Sequence, residues 1–253
     1  MMLKTEELTK NFGGLTAVNK LDLQVHEGEI VGLIGPNGAG KTTVFNLITG
    51  VFRPTSGKVI FSGENITGCK PHEAAKKGIG RTFQAGFLFS DFTVLDNVVA
   101  SFFLDPRVGF WEAAFKTPAY WKKEAYIRRQ ALDILRVVGM ADVQSELARN
   151  LPHGYQKTLG LARALAVKPK LLLLDEPLAG MTQSEIAFSL QTLAHIRQQG
   201  MTILMVEHNM EIMKLCDRVV VINFGHKIAE GLPEDIQQNK DVMEAYLGVE
   251  DAA

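Results

Sequence analysis

The sequence predicts an α/β fold, a mostly parallel sheet flanked by helices. Apolar runs of strand length recur at 30–34, 171–174, 202–206 and 218–223, and helical stretches separate the last three. Apolar strands joined by helical crossovers belong to a parallel sheet covered on both faces. The first run also passes straight into a glycine-rich loop and then into the helix-forming stretch 43–48.

Taken in order, residues 1–30 alternate and turn like an antiparallel subdomain, with segments 3–6 and 21–25 separated by Gly13-Gly14. Val59-Ile60-Phe61 reads as a further short strand, bounded by Ser56-Gly57 and Ser62-Gly63. Between 84 and 167 the pattern turns helical, with a 3.6-type period clearest over 126–135. Strand 171–174, helix 184–198, strand 202–206, helix 210–215 and strand 218–223 follow, the last ending at Phe224-Gly225-His226-Lys227. The expected organisation is a core of 1–83 and 168–253 interrupted by a helical insertion subdomain, 84–167.

The loop reads Gly35-Pro36-Asn37-Gly38-Ala39-Gly40-Lys41-Thr42, a complete G-x-x-x-x-G-K-[ST] motif between strand and helix. Its glycines let consecutive backbone N–H groups curl around phosphate oxygens. The following helix turns its positive dipole end to the same anion. The core is therefore a P-loop NTPase core, and the chain is expected to bind a nucleoside triphosphate. Asn37, Gly38, Ala39, Gly40, Lys41, Thr42 and Thr43 would cradle it. Lys41 would reach the β- and γ-phosphates, and the Thr42 hydroxyl would take a place on Mg²⁺.

Run 171–174 delivers Asp175 and Glu176 at a strand end, where α/β sheets place their ligands. Asp175 is expected to orient the metal, and Glu176 to polarise the attacking water as general base. Gln84, at the junction with the helical segment, is placed to touch metal or water. His208, after strand 202–206, is placed to contact the γ-phosphate, though a lone strand-end histidine is more often a packing residue. Phe12 could stack on adenine or be a core aromatic of the first hairpin, and Val18 is assigned to the same nucleotide-binding set. His26, His72, His153, His195 and His226 have no metal-ligand spacing.

Composition narrows the class. Lys and Arg number 27 against 28 Asp and Glu, a net charge of −1, which carries no footprint for nucleic acid. No apolar run approaches the ~20 residues of a membrane span, and Met1-Met2-Leu3-Lys4-Thr5-Glu6 is no secretory leader. Cys69 and Cys216 are too few for a disulfide or zinc framework. The expected location is cytoplasmic, with membrane contact only through partners.

The phosphate loop, Gln84, the stretch Leu151-Pro152-His153-Gly154-Tyr155-Gln156, the run ending at Glu176, and His208 stand in the order of an ABC-transporter ATP-binding subunit. The chain resembles that family over essentially its whole length. A narrower resemblance, to the branched-chain amino acid importer ATPases and their urea and short-amide relatives, rests on Asn11 to Val18, the insertion with Lys116-Thr117-Pro118, Glu176 to Met181, and Asp241 to Gly248. It implies ATP and Mg²⁺, an ATPase activity, the roles given for Lys41, Thr42, Gln84, Asp175, Glu176 and His208, and a peripheral position on the inner face of the cell membrane. It also implies nucleotide contacts from Pro152, His153, Gly154 and Tyr155 across a dimer. A soluble, non-transport ABC ATPase would usually carry coiled coils, tandem domains or basic arms, none of which fits this length and charge. A P-loop kinase or GTPase is disfavoured by Gln84, His208 and the 154–175 stretch.

Two departures stand out. The family signature is usually Leu-Ser-Gly-Gly-Gln, but Pro152 replaces the serine and has neither hydroxyl nor N–H. Gly154 is kept, with a helix expected from about Gln156-Lys157. Thr182 replaces the usual aspartate after Glu176. Two copies of this chain would thus pair intact phosphate loops with weakened signatures, so the expected partner ATPase is a different chain, in a heterodimer. Finally, of 14 Phe, 2 Trp and 4 Tyr, twelve lie from Phe83 to Tyr126. Some are expected to line a docking groove for transmembrane permease subunits over 84–126, the remainder packing inward.

Overall fold

Alternation along the N-terminus builds the antiparallel sheet first. In the computed structural model, which describes residues 1–82, 88–102, 118–207 and 213–247, strands β1 (Leu3–Phe12) and β2 (Leu15–Leu21) pair antiparallel across the Gly13-Gly14 turn. Strand β3 (Gln24–Val25) pairs with the start of β1. After β4 (Ile30–Ile34), strands β5 (Ser56–Phe61) and β6 (Glu64–Asn65) complete a sheet of order β2-β1-β5-β6. Leu3, Leu8, Leu21 and Val25 point inward with no exposure, which is the period-2 face expected of a half-buried sheet.

A second sheet has order β11-β10-β4-β9-β8-β7, using β7 (Ile79–Arg81), β8 (Leu171–Asp175), β9 (Thr202–Val206), β10 (Arg218–Asn223) and β11 (His226–Gly231). All neighbours are parallel except the β10–β11 hairpin. Every residue of β4, β8 and β9 is buried, so these strands carry apolar side chains on both faces rather than alternating. Helix α1 (Lys41–Ile48) follows β4 and buries Val44, Phe45, Leu47 and Ile48 in the same core. Helix α2 (Pro71–Lys77) leads into β7.

The chain divides into two compact units, Met1–Arg81 with Lys170–Pro177 and Arg197–Ala253, and Thr82–Pro169 with Leu178–Ile196. The two sheets belong to the first unit. The second contains α3 (Val94–Phe102), α4 (Pro118–Val137), 3₁₀ turns at Ala141–Val143 and Ala148–Asn150, α5 (His153–Ala166) and most of α6 (Gln183–Gln198). Leu178–Ile196 thus joins the second unit although it lies outside the stretch 84–167. Ile127, Ala131 and Leu135 of α4, spaced i, i+4, i+8, turn inward with Val94 and Val98 of α3 and Leu159 and Ala162 of α5. Short helices α7 (Pro233–Gln237) and α8 (Lys240–Leu247) follow β11.

Candidate functional site

The buried strand β4 aims the phosphate loop, and neighbouring backbone fixes its shape. Gly40 sits at φ 104 as the N-cap of α1, and a Cβ there would lie 2.3 Å from the Ala17 carbonyl oxygen. No other residue tolerates both the conformation and the approach. Ala39 accepts the Gly225 N–H at 2.9 Å, and Asn19 donates to Gly225 O at 2.9 Å, so the β10–β11 turn braces the loop. Asn37 and Gly38 are exposed, Ala39 is buried, and Thr42 is exposed on the first turn of α1.

Lys41 is buried and donates its ammonium to Gly35 O at 2.6 Å and Pro36 O at 2.8 Å. Burial pushes its pKa down, while the carboxylates of Glu176 and Asp175 oppose that shift. Asp175 is 5% exposed and takes an ion pair from Arg81, Nη2 to Oδ2, at 2.9 Å. Glu176 follows at φ 47, a left-handed conformation rare for a side chain of this type. Its N–H bonds to Val206 O at 2.9 Å, which binds the turn to the end of β9. Such strain is retained where surrounding contacts enforce it, often at functional positions.

Phe12 is half-exposed at the end of β1, edge-on to Phe52 at 5.2 Å between centroids, with the Lys10 ammonium 4.9 Å from its own ring centre. It is not a core aromatic, and a ring face remains accessible for stacking. Val18 is different. It has no exposure and packs 3.6 Å from the position of a Cβ on Gly40, so it supports the loop from behind. Gln84 and His208 lie outside the described residues.

The signature stretch belongs to the second unit. Helix α5 starts at His153, three residues before the expected start, with Pro152 at the N-cap making no side-chain cap bond. Pro152 and His153 are exposed, Gly154 is buried, and Tyr155 stacks on Phe188 at 5.8 Å. The N-terminal groups of this helix do not wait for an external anion. Gly154 N–H donates to Glu185 Oε1 at 2.9 Å, and a Cβ on Gly154 would meet that oxygen at 2.4 Å. Glu185 Oε2 in turn accepts from Thr182 N–H and Thr182 Oγ1, both at 2.8 Å.

Arg81, Glu185 and Tyr246 were not among the residues singled out from the sequence. Thr182-Gln183-Ser184-Glu185 is a capping-box pattern, which could have revealed the helix start but not the second bond to Gly154. Arg81 carried no signal beyond being a charge at a strand end. Burial pushes the Tyr246 phenol on α8 up while the Gly35 backbone opposes that shift, an influence between residues more than two hundred apart that no local pattern encodes.

Oxygen donors on the Thr42 hydroxyl and the Asp175 carboxylate suit a hard divalent cation. Among the described residues no group of three or more His, Cys, Asp or Glu is gathered to hold a metal by itself.

Residues 18–179 match the ABC transporter family model, and residues 226–252 match that of the branched-chain amino acid ATP-binding cassette transporter. The chain is 40% identical over 249 residues to the high-affinity branched-chain amino acid transport ATP-binding protein BraF of Pseudomonas aeruginosa, covering 98% of each. It superposes on the ADP conformation of MJ1267, an ATP-binding cassette of an ABC transporter, with a TM-score of 0.85 and 30% identity over 98% of both chains. The dimeric structure of MJ0796, a bacterial ABC transporter cassette, matches with a TM-score of 0.78 and 25% identity over 92% of this chain and 99% of that one.

Proposed function

We propose that this chain, which belongs to the ABC transporter family of ATP-binding subunits, hydrolyses ATP to drive import of branched-chain amino acids. The observation that carries the solute class is the match of residues 226–252 to the branched-chain family model, beside the likeness to BraF. Hydrolysis is supported by the match to the ABC transporter family model together with Lys41 opening α1 and Asp175-Glu176 at the end of β8.

In this reading a phosphate oxygen competes with Gly35 O and Pro36 O for the Lys41 ammonium, and loop N–H groups share the remaining charge. Glu176 takes a proton from water as its oxygen attacks the γ-phosphorus and the bond to the β-phosphate oxygen breaks. Thr42, and Asp175 through water, would hold Mg²⁺, which when bound would supply neutralisation of the β- and γ-phosphate charge. Gln84 is assigned to the metal or water, and His208 to the γ-phosphate. Phe12 stacks on the base. Pro152, His153, Gly154 and Tyr155 face the nucleotide of a partner ATPase, a different chain in a heterodimer, as the weakened signature favours. Permease subunits dock on 84–126 and hold the subunit on the inner face of the membrane, since among the described residues no helix is long and apolar enough to cross one.

The test is reconstitution. This chain, co-purified with its permeases and a second ATPase and supplied with a solute-binding protein, should take up leucine but not urea in proportion to ATP hydrolysed. Uptake of urea alone would reassign the solute. Two copies of this chain giving full activity would remove the heterodimer.

A further inference from the structure

We propose that Arg81 is a positioning residue for the metal: its guanidinium fixes the separation of the two protein donors, Asp175 on β8 and Thr42 on α1. This inference rests on the ATP–Mg²⁺ reading above.

Thr42 and Asp175 stand on different elements, and a divalent cation bridging them binds well only if their spacing is held. Arg81, the last residue of β7, spans that gap. Its Nη2 donates to Asp175 Oδ2 at 2.9 Å. Its Nη1 donates to Asn46 Oδ1 at 2.7 Å and reaches Thr49 Oγ1 at 3.4 Å. Asn46 lies one turn beyond Thr42 on the same face of α1. Thr49 at the C-cap is itself held by its bond to Phe45 O at 2.8 Å. The guanidinium lies 5.6 Å from the Phe45 ring centre. Both side chains of the pair are almost wholly buried, 7% exposed for Arg81 and 3% for Asp175. A planar fork that grips a carboxylate on one side and a helix on the other is a spacer of fixed length, which a lysine's single ammonium cannot reproduce.

Stability is a poor explanation for burying such a pair. An apolar replacement of both partners is often as stable or more so. A guanidinium that only competed with the cation for Asp175 would have no use for the second grip on Asn46.

The test separates spacing from folding. In a Glu176→Gln background that blocks turnover, the Kd for ATP is measured with EDTA and with saturating Mg²⁺. The ratio of the two reports the metal's contacts with protein. Arg81→Lys keeps the charge and should lower this ratio about tenfold, as loss of an outer support typically does, with the Mg²⁺-free Kd unchanged. Asn46→Ala leaves the ion pair intact and should lower the ratio in the same direction by a smaller factor. Thermal melting confirms that each variant is folded; if Arg81→Lys is not, Asn46→Ala decides alone. An unchanged ratio in the folded variants overturns the proposal, and so does a raised one, which would make Arg81 a competitor of the cation. Wild-type protein that binds ATP with no Mg²⁺ preference also overturns it. Wild-type protein that binds no ATP overturns the functional reading instead.

Discussion

Glu185 accepts the Gly154 N–H at 2.9 Å, so the carboxylate that caps its own helix α6 also caps the first turn of α5. Pro152 offers that helix no side-chain bond. The buried N–H of Gly154 would otherwise be left to solvent or strain. The Glu185 carboxylate thus serves both helices, and α5 begins at His153.

The hydrogen bonds that the Glu185 carboxylate accepts predict a particular acid response. The Glu185 carboxyl sits below its usual 4.5, chiefly through the Thr182 N–H, then the Thr182 hydroxyl, with Gly154 and His153 adding and desolvation opposing. A depressed folded-state pKa means the unfolded chain binds the proton more readily. The stability gained is full above pH 4.5 and is lost as pH falls through the lower folded value. Wild type should therefore melt above Glu185→Gln at pH 7, with the gap closing as pH falls below 4.5 and through the lower folded value. A gap that persists unchanged in acid would exclude the carboxylate as its source.

Glu176 carries both strain and chemistry, and the two should separate by substitution. Its φ of 47 costs on the order of 1 kcal/mol. Glu176→Gly should hold or raise the melting temperature while abolishing turnover, and Glu176→Gln should abolish turnover at unchanged stability and trap ATP. Hydrolysis at the wild-type rate by the Gln variant would remove Glu176 as general base. Lys41→Ala, by contrast, should lose ATP binding itself, measured by calorimetry.

Phe89 and Phe92 are each 47% exposed and stacked at 5.0 Å. The buried Asn97 holds their turn rigid by accepting Phe89 N–H at 2.9 Å and donating to Phe89 O at 3.0 Å. Phe89→Ala should leave the melting temperature of the isolated subunit within a few degrees and uncouple ATPase from transport. A large fall in melting temperature would identify a packing role. Phe87, in the same aromatic stretch from Phe83 to Tyr126, lies outside the described residues.

Thiol chemistry should rank the two cysteines. Burial first, then Asp217 and Glu207 against the opposing charge of Arg197, push the Cys216 thiol up to about 12. Cys69 is raised mainly by burial and is only partly covered. In native protein at pH 8, iodoacetamide should label Cys69 slowly and Cys216 only on unfolding, as peptide mass spectrometry would report. Equal labelling rates would mean that the segment leading into β10 opens at little cost.

The elements and their class were legible in the residues alone, because those signals are local. Alternation in 3–12, unbroken apolar runs at 30–34 and 171–174, and the spacing of Gly35, Gly40, Lys41 and Thr42 each express a period or a turn rule acting over a few residues. Asp175 and Glu176 were legible together too, since they are neighbours in the chain. Features that depend on groups distant in sequence came from packing. Arg81 meets Asp175 across 94 positions, and Glu185 reaches Gly154 across 31. Val18 falls behind the Gly40 turn instead of facing outward. Burial, ion pairing and capping by remote side chains are set by the packing of whole elements, and no periodicity within one element records them.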